Sequence, residues 1–105
     1  MDESQVLCVS NAYQHKYYLG NSFKDLPKAV KDELKIACVI FTEQVGGILT
    51  LSFDDDKNLY AHTAWDGEPL YDEIGSALKV KQFQNEKREL LVSIERFYRE
   101  YVKGI

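Results

Sequence analysis

Residues 25–53 read DLPKAVKDELKIACVIFTEQVGGILTLSF, and a change of hydrophobic period inside this stretch decides the fold class. In its first part apolar side chains recur at Leu26, Val30, Leu34, Ala37, Cys38, Phe41 and Val45, which is helical spacing. Lys28, Lys31, Asp32 and Lys35 supply the wet side. Asp25 stands where a cap is needed, and Pro27 suits a first turn, where a missing N–H leaves no bond unmade. The spacing therefore predicts a helix over 25–45. Gly46–Gly47 ends it, because glycine tolerates the left-handed backbone of a helix C-terminus. The period then falls to two. Leu49, Leu51 and Phe53 share one face, and Ile48, Thr50 and Ser52 share the other, so 48–53 reads as a strand.

Toward the C-terminus, residues 54–58 (DDDKN) read as a turn and 59–65 (LYAHTAW) as the returning strand of a hairpin. Leu70, Ile74, Ala77 and Leu78 then make a short amphipathic helical stretch. A longer one follows through Val80, Phe83, Leu90, Ile94, Phe97 and Tyr101, broadened by Leu91 and Tyr98. Glycine costs about 1 kcal/mol against alanine inside a helix, so Gly75–Ser76 predicts a break or bend between Gly75 and Gln82. Glu95 and Arg99 form an i,i+4 pair on the expected exposed side. Toward the N-terminus, the β-rich runs 6–9 and 16–19 flank a turn-prone segment and predict a second hairpin. The expected fold is α+β: ββ-α-ββ-α, an antiparallel sheet of about four strands with helices packed on one face and a long C-terminal helix. The stripes are buried most simply in that way, as one domain over 1–105.

A chain of 105 residues with 45% hydrophobic residues and only two Pro has the means to build a core without staples. The net charge of −4 argues against nonspecific nucleic-acid binding, which requires a basic footprint. Charge is uneven, with seven basic residues against four Glu between Lys79 and Lys103. Internal complementarity or a solvated helix face accounts for that. The opening MDESQV has neither the basic nor the apolar region of a signal peptide, and no apolar run approaches a membrane span. A cytoplasmic location is expected, with Cys8 and Cys38 reduced and packed as small hydrophobes.

The chemistry-bearing residues form no recognisable catalytic or metal set. Asp54-x-Asp56-x-Asn58 resembles the start of a calcium loop, but Leu59 and Trp65 stand where the motif needs Gly and a bidentate Glu. Gly46–Gly47 follows a helix, whereas a phosphate cradle precedes one. His15 and His62 are the only histidines. Cys8 and His15 could face one another across the first hairpin, but a metal site needs three or four ligands. Cys38, in the middle of IACVIF, is expected to be buried and inert. Glu68, Asp72 and Glu73 suit the first turn of a helix. Tyr13, Tyr17 and Tyr18, beside His15 and Lys16, suit cross-strand packing, with ligand stacking as the sharper alternative. No catalytic, cofactor-binding or metal residue is assigned, and the sequence leans against an enzyme.

Residues 6–19, residues 26–59 and the run LYDEIGSALKVKQFQNEKREL resemble a family of short bacterial cytosolic proteins of unknown function. The most specific pieces are KYYL at 16–19, TEQVGGILTL at 42–51 and DEIGS at 72–76. The resemblance implies a Gram-positive, cytosolic setting and brings no activity or cofactor. A looser fold-level analogy is the helix–hairpin–helix core of dimeric roadblock-type scaffold proteins.

One local feature does suggest a role. Residues 36–41, IACVIF, are apolar all round, and a helix of that kind is buried on every side. Leu34, Ala37, Cys38 and Phe41 suffice for a core, which leaves Ile36, Val39 and Ile40 over. They are covered either by the C-terminal helix or by another subunit. The expected function is therefore a non-enzymatic interaction or scaffold module that self-associates as a homodimer, with a further protein partner conceivable and no membrane contact. The alternative is a small-molecule-binding protein or enzyme, its pocket between the tyrosine-rich hairpin and the acids near Asp72.

Overall fold

A computed structural model describes residues 5–65 and 73–102. Its elements are β1 (Val6–Asn11), β2 (Lys16–Leu19), α1 (Lys28–Val45), β3 (Ile48–Phe53), β4 (Leu59–Ala64), α2 (Glu73–Glu86) and α3 (Arg88–Phe97), which runs into one π-helical turn, Tyr98–Val102. The strands form one antiparallel sheet in the order β2-β1-β3-β4. The fold is the α+β arrangement expected from the sequence, with the helical part at the C-terminus divided in two.

Strand register sorts the side chains into rows. Leu19, Cys8, Leu51 and Ala61 form one row across the sheet, and Tyr17, Ser10, Leu49 and Thr63 form the next; both rows face the helices. The intervening row, Tyr18, Val9, Thr50 and His62, lies on the opposite face. Register shifts between Val6 and Cys8, so consecutive Leu7 and Cys8 are both buried. An extra residue at a bulge produces that departure from alternation. Gly20 closes the hairpin against this bulge. A Cβ on it would stand 2.3 Å from the Val6 carbonyl oxygen, so no larger residue fits without moving the backbone.

Three aromatic rings hold the two ends of the chain together. Phe53 at the end of β3 stacks on Tyr98 with centroids 3.8 Å apart, and Phe23 packs beside both. Phe41 of α1 meets Phe83 of α2 edge to face at 5.5 Å.

Several details differ from the sequence reading. Helix α1 starts at Lys28, with Pro27 as its non-helical cap residue, and no side chain caps it. Proline disfavours helical backbone in the residue before it, so the helix cannot reach back to Asp25. No break falls between Gly75 and Gln82. Gly75 lies within α2, and the interruption comes at Lys87 (φ −106°, ψ 20°). α2 also turns a different face inward. Ser76, Val80 and Phe83 pack inside, while Ile74, Ala77 and Leu78 are exposed; Leu70 lies outside the described residues. In the last helical segment Tyr98 is 7% exposed and Tyr101 70%. The inner stripe is thus Leu90, Ile94 and Tyr98. Glu95 is not a purely surface partner of Arg99 either: its Oε2 accepts the Leu59 N–H at 2.7 Å, tying α3 to the start of β4.

Candidate functional site

Helix α1 has chemistry on both sides. Its inner side meets β1 along a seam with two rungs. At the first, the Sγ atoms of Cys8 and Cys38 lie 3.8 Å apart and buried. At the second, the hydroxyls of Ser10 and Thr42 lie 2.8 Å apart, also buried. The rungs stay in step because two strand residues rise about 6.7 Å and four helix residues about 6 Å. Strand and helix therefore run alongside one another in the same direction. Thr42 Oγ1 is within reach of the carbonyls of Cys38 (3.2 Å) and Val39 (3.1 Å). It donates there and accepts from Ser10, which leaves neither hydroxyl unmatched.

Tyr17 of β2 completes the seam. Its hydroxyl is buried without a hydrogen-bond partner of the ordinary kind and faces the two thiols. Burial, and then the neighbouring sulfurs, push its ionisation far above the usual tyrosine range. The Cys38 thiol is pushed up as well, first by its hydrogen bond with Cys8 and then by burial. Both thiols are free, and Cys38 is held as the neutral thiol. Outside Tyr17 opens a cavity of about 680 Å³ between the first hairpin and α1, lined by Asn11, His15, Lys16, Lys35, Glu43 and Tyr17 among others.

The outer side of α1 is an apolar ridge. Ile36 is 58% exposed and Ile40 48%, with Val39 half-buried between them. Ile36 and Ile40 also border a groove of about 490 Å³ between α1 and α2, floored by Phe41 and Phe83 and edged by Lys79 and Lys87. Leu34, Ala37, Cys38 and Phe41 are buried on the inner side. The C-terminal helices therefore leave Ile36 and Ile40 uncovered. Gly46 ends the helix with φ 85°, a conformation that favours glycine, and its N–H is bonded to the Thr42 carbonyl.

The other residues singled out from the sequence fall into structural roles. Asp54 Oδ1 accepts the backbone N–H groups of Asp56 and Asn58, both at 2.9 Å, so this carboxylate holds the β3–β4 turn. Cys8 does not face His15: Cys8 pairs with Leu19, and His15 sits in the β1–β2 turn with φ 52°. Asn11 Oδ1 shapes that turn by accepting the N–H groups of Tyr13 and Gln14. His62 lies on the sheet's other face, its ring 5.7 Å from that of Tyr60. Among the described residues no three His, Cys, Asp or Glu come together as a metal site would require. Glu68 and Asp72 lie outside the described residues, and the cavity beside the tyrosine hairpin is walled by α1. Sequence reasoning missed the pairing of Cys8 with Cys38. Periodicity turns each of them inward but does not carry the register of strand against helix.

No described helix is long and apolar enough to cross a membrane. Compared with known proteins, residues 4–105 match a family described as of unknown function, DUF6145. No curated protein and no solved structure matches the chain.

Proposed function

We propose, for a chain that belongs to the DUF6145 family and takes no activity from it, that the protein is a non-enzymatic interaction module that self-associates as a homodimer through the outer ridge of α1. The observation that carries this reading is the exposure of Ile36 and Ile40 on a helix whose opposite side already completes a core. Burying an aliphatic side chain of this size contributes roughly 1.5–3 kcal/mol, and an apolar patch left open marks a partner surface. The charges beside the ridge favour a second copy as that partner. Lys35 and Glu43, both exposed, lie four residues to either side of Val39. An antiparallel two-fold pairing centred at Val39 sets Lys35 of one copy against Glu43 of the other, twice. Isologous pairing of this kind is the commonest symmetric assembly.

The ridge is small, so assembly is expected at micromolar rather than nanomolar concentration. Sedimentation equilibrium tests it. The wild-type chain should approach twice its 12.1 kDa mass as concentration rises, and Ile40→Glu should stay monomeric with an unchanged circular dichroism spectrum. A monomer at all concentrations overturns the proposal. Ile40 is the better probe than Val39, which is half-buried beside the cavity. A bacterial, Gram-positive, cytoplasmic setting belongs to the same proposal and rests on the motifs quoted above.

A second reading is favoured by one feature, the cavity of about 680 Å³ beside Tyr17. Its size suits a small molecule, and Lys16 and Lys35 would favour an anionic one. In that reading the pocket would lie between the tyrosine hairpin and α1, not beside the acids near Asp72.

A further inference from the structure

We propose that Cys8 and Cys38 are an oxidisable pair, and that a hydroperoxide closes them into a reversible disulfide that staples β1 to α1. The two sulfurs already touch at 3.8 Å. A disulfide bond of about 2.05 Å requires them to close by less than 2 Å. The Ser10–Thr42 hydroxyl pair one rung along holds strand and helix in the register that keeps the sulfurs opposed. No third thiol competes, since the chain has two cysteines. Both are buried, which disfavours bridging between copies.

The chemistry balances with one hydroperoxide. One sulfur, as its thiolate, attacks the peroxide. An S–O bond forms, the O–O bond breaks, and the leaving oxygen takes a proton to become water when the oxidant is hydrogen peroxide. The second sulfur then attacks the sulfenic sulfur. The S–S bond forms, the S–O bond breaks, and a second water leaves. The pair loses two electrons and two protons, and the peroxide takes up both. A dithiol reductant returns the pair to thiols.

Access is through Tyr17. This residue lines the cavity on one side and faces the thiols with its hydroxyl on the other, so its side chain stands between solvent and the sulfurs. A neutral, buried Cys38 thiol behind such a barrier reacts slowly. The pair is thus silent at low oxidant and closes under sustained exposure, with the rate set by Tyr17. The sulfurs lie on the opposite side of α1 from Ile36 and Ile40, but Lys35, Val39 and Glu43 line the cavity beside Tyr17, so oxidation is measured below the concentration at which the protein assembles.

The test treats the full chain with hydrogen peroxide under native conditions and follows it by mass spectrometry and thermal melting. The expected product has lost two hydrogens, yields a peptide pair joined at Cys8 and Cys38, and melts about 15 °C higher, as expected for closing a loop of this length. Dithiothreitol should reverse both changes. Tyr17→Ala should speed closure at least severalfold, whereas Tyr17→Phe, which keeps the ring, should change it much less. In Cys8→Ser the peroxide-dependent melting shift should vanish. Sulfinic acid on one cysteine, a disulfide between chains, or a bridge that forms only after unfolding in denaturant would each overturn the proposal. So would thiols that stay free in native wild type through sustained exposure, at many times the peroxide dose that fully oxidises a surface thiol placed by Ser22→Cys.

Discussion

Over residues 36–41 the inner and outer sides of α1 are both apolar, but the structure treats them differently. On the inner side, Leu34 and Cys38 are fully excluded from water among β1, β3 and the aromatic residues. On the outer side, Ile36 and Ile40 are equally apolar and stand in solvent. Among the described residues the helices lie on one face of the sheet, and the C-terminal helices are committed to Phe53, Phe41 and Thr63. Apolar character along a helix therefore measures how much surface needs covering; which surface the chain covers for itself depends on how many layers it has. The surplus on α1 is the part left for another molecule.

The sharpest way to break this contrast is to truncate one residue on each side. Leu34→Ala removes a wholly buried side chain, and its unfolding free energy should fall by about 3 kcal/mol, the range for leucine truncation in a core. Ile36→Ala, measured below the concentration at which the protein assembles, should fall by no more than about 0.5 kcal/mol, as for a surface site. Urea titrations at low micromolar concentration compare the two directly. Equal losses would mean that both sides are core.

The contrast also separates what the sequence reveals from what it hides. Period-two alternation identifies the inward residues of β3, and helical period separates Leu34, Ala37, Cys38 and Phe41 from Ile36, Val39 and Ile40. Those faces were legible because each depends on neighbours within one element. The Cys8–Cys38 contact was not legible. It depends on the height at which a crossover helix settles along a strand 30 residues away, and any inward pair on β1 and α1 satisfies the same periodicities. The aromatic residues near the C-terminus show a related limit. After Ile94 an i+3 step leads to Phe97 and an i+4 step to Tyr98. Both are apolar aromatics, so hydropathy does not choose; stacking on Phe53 does. The position of the cavity was hidden for the same reason as the thiol pair.

Proton chemistry also marks the inner side, and this gives a smaller effect than truncation. Cys38 is held protonated in the folded chain by its bond with Cys8 and by burial, while in the unfolded chain it ionises from about pH 8.5. A raised pKa in the folded state means that its stabilising contribution is complete below that range and is lost as pH rises through it. Stability should therefore decline above about pH 8.5, by at most about 1.4 kcal/mol per pH unit for this one group. Tyr17, raised in the same sense, adds to the decline above about pH 10. Urea midpoints between pH 7 and 10 would show it. Cys38→Ala, although less stable at neutral pH, should show a shallower decline than wild type. An unchanged slope would mean that the thiol is solvated.

The smallest effect belongs to the outer side and sharpens what the ridge does. Lys35 and Glu43 are exposed and carry no ion pair among the described residues, so exchanging either charge should leave monomer stability within about 0.5 kcal/mol. In the two-fold pairing each Lys35 stands near Glu43 of the other copy. Lys35→Glu then places like charges together at two symmetric positions. An exposed pair contributes about 0.2–1 kcal/mol, so the loss over both positions is about 1 kcal/mol, and dimer dissociation should rise roughly fivefold at low salt. Glu43→Lys should do the same. The double variant restores opposite charges across the axis and should return the dissociation constant to near its wild-type value, while added salt should reduce all three differences because exposed charges are screened. Additive weakening in the double variant would show that these charges do not meet, and that the ridge pairs in another register or with another partner.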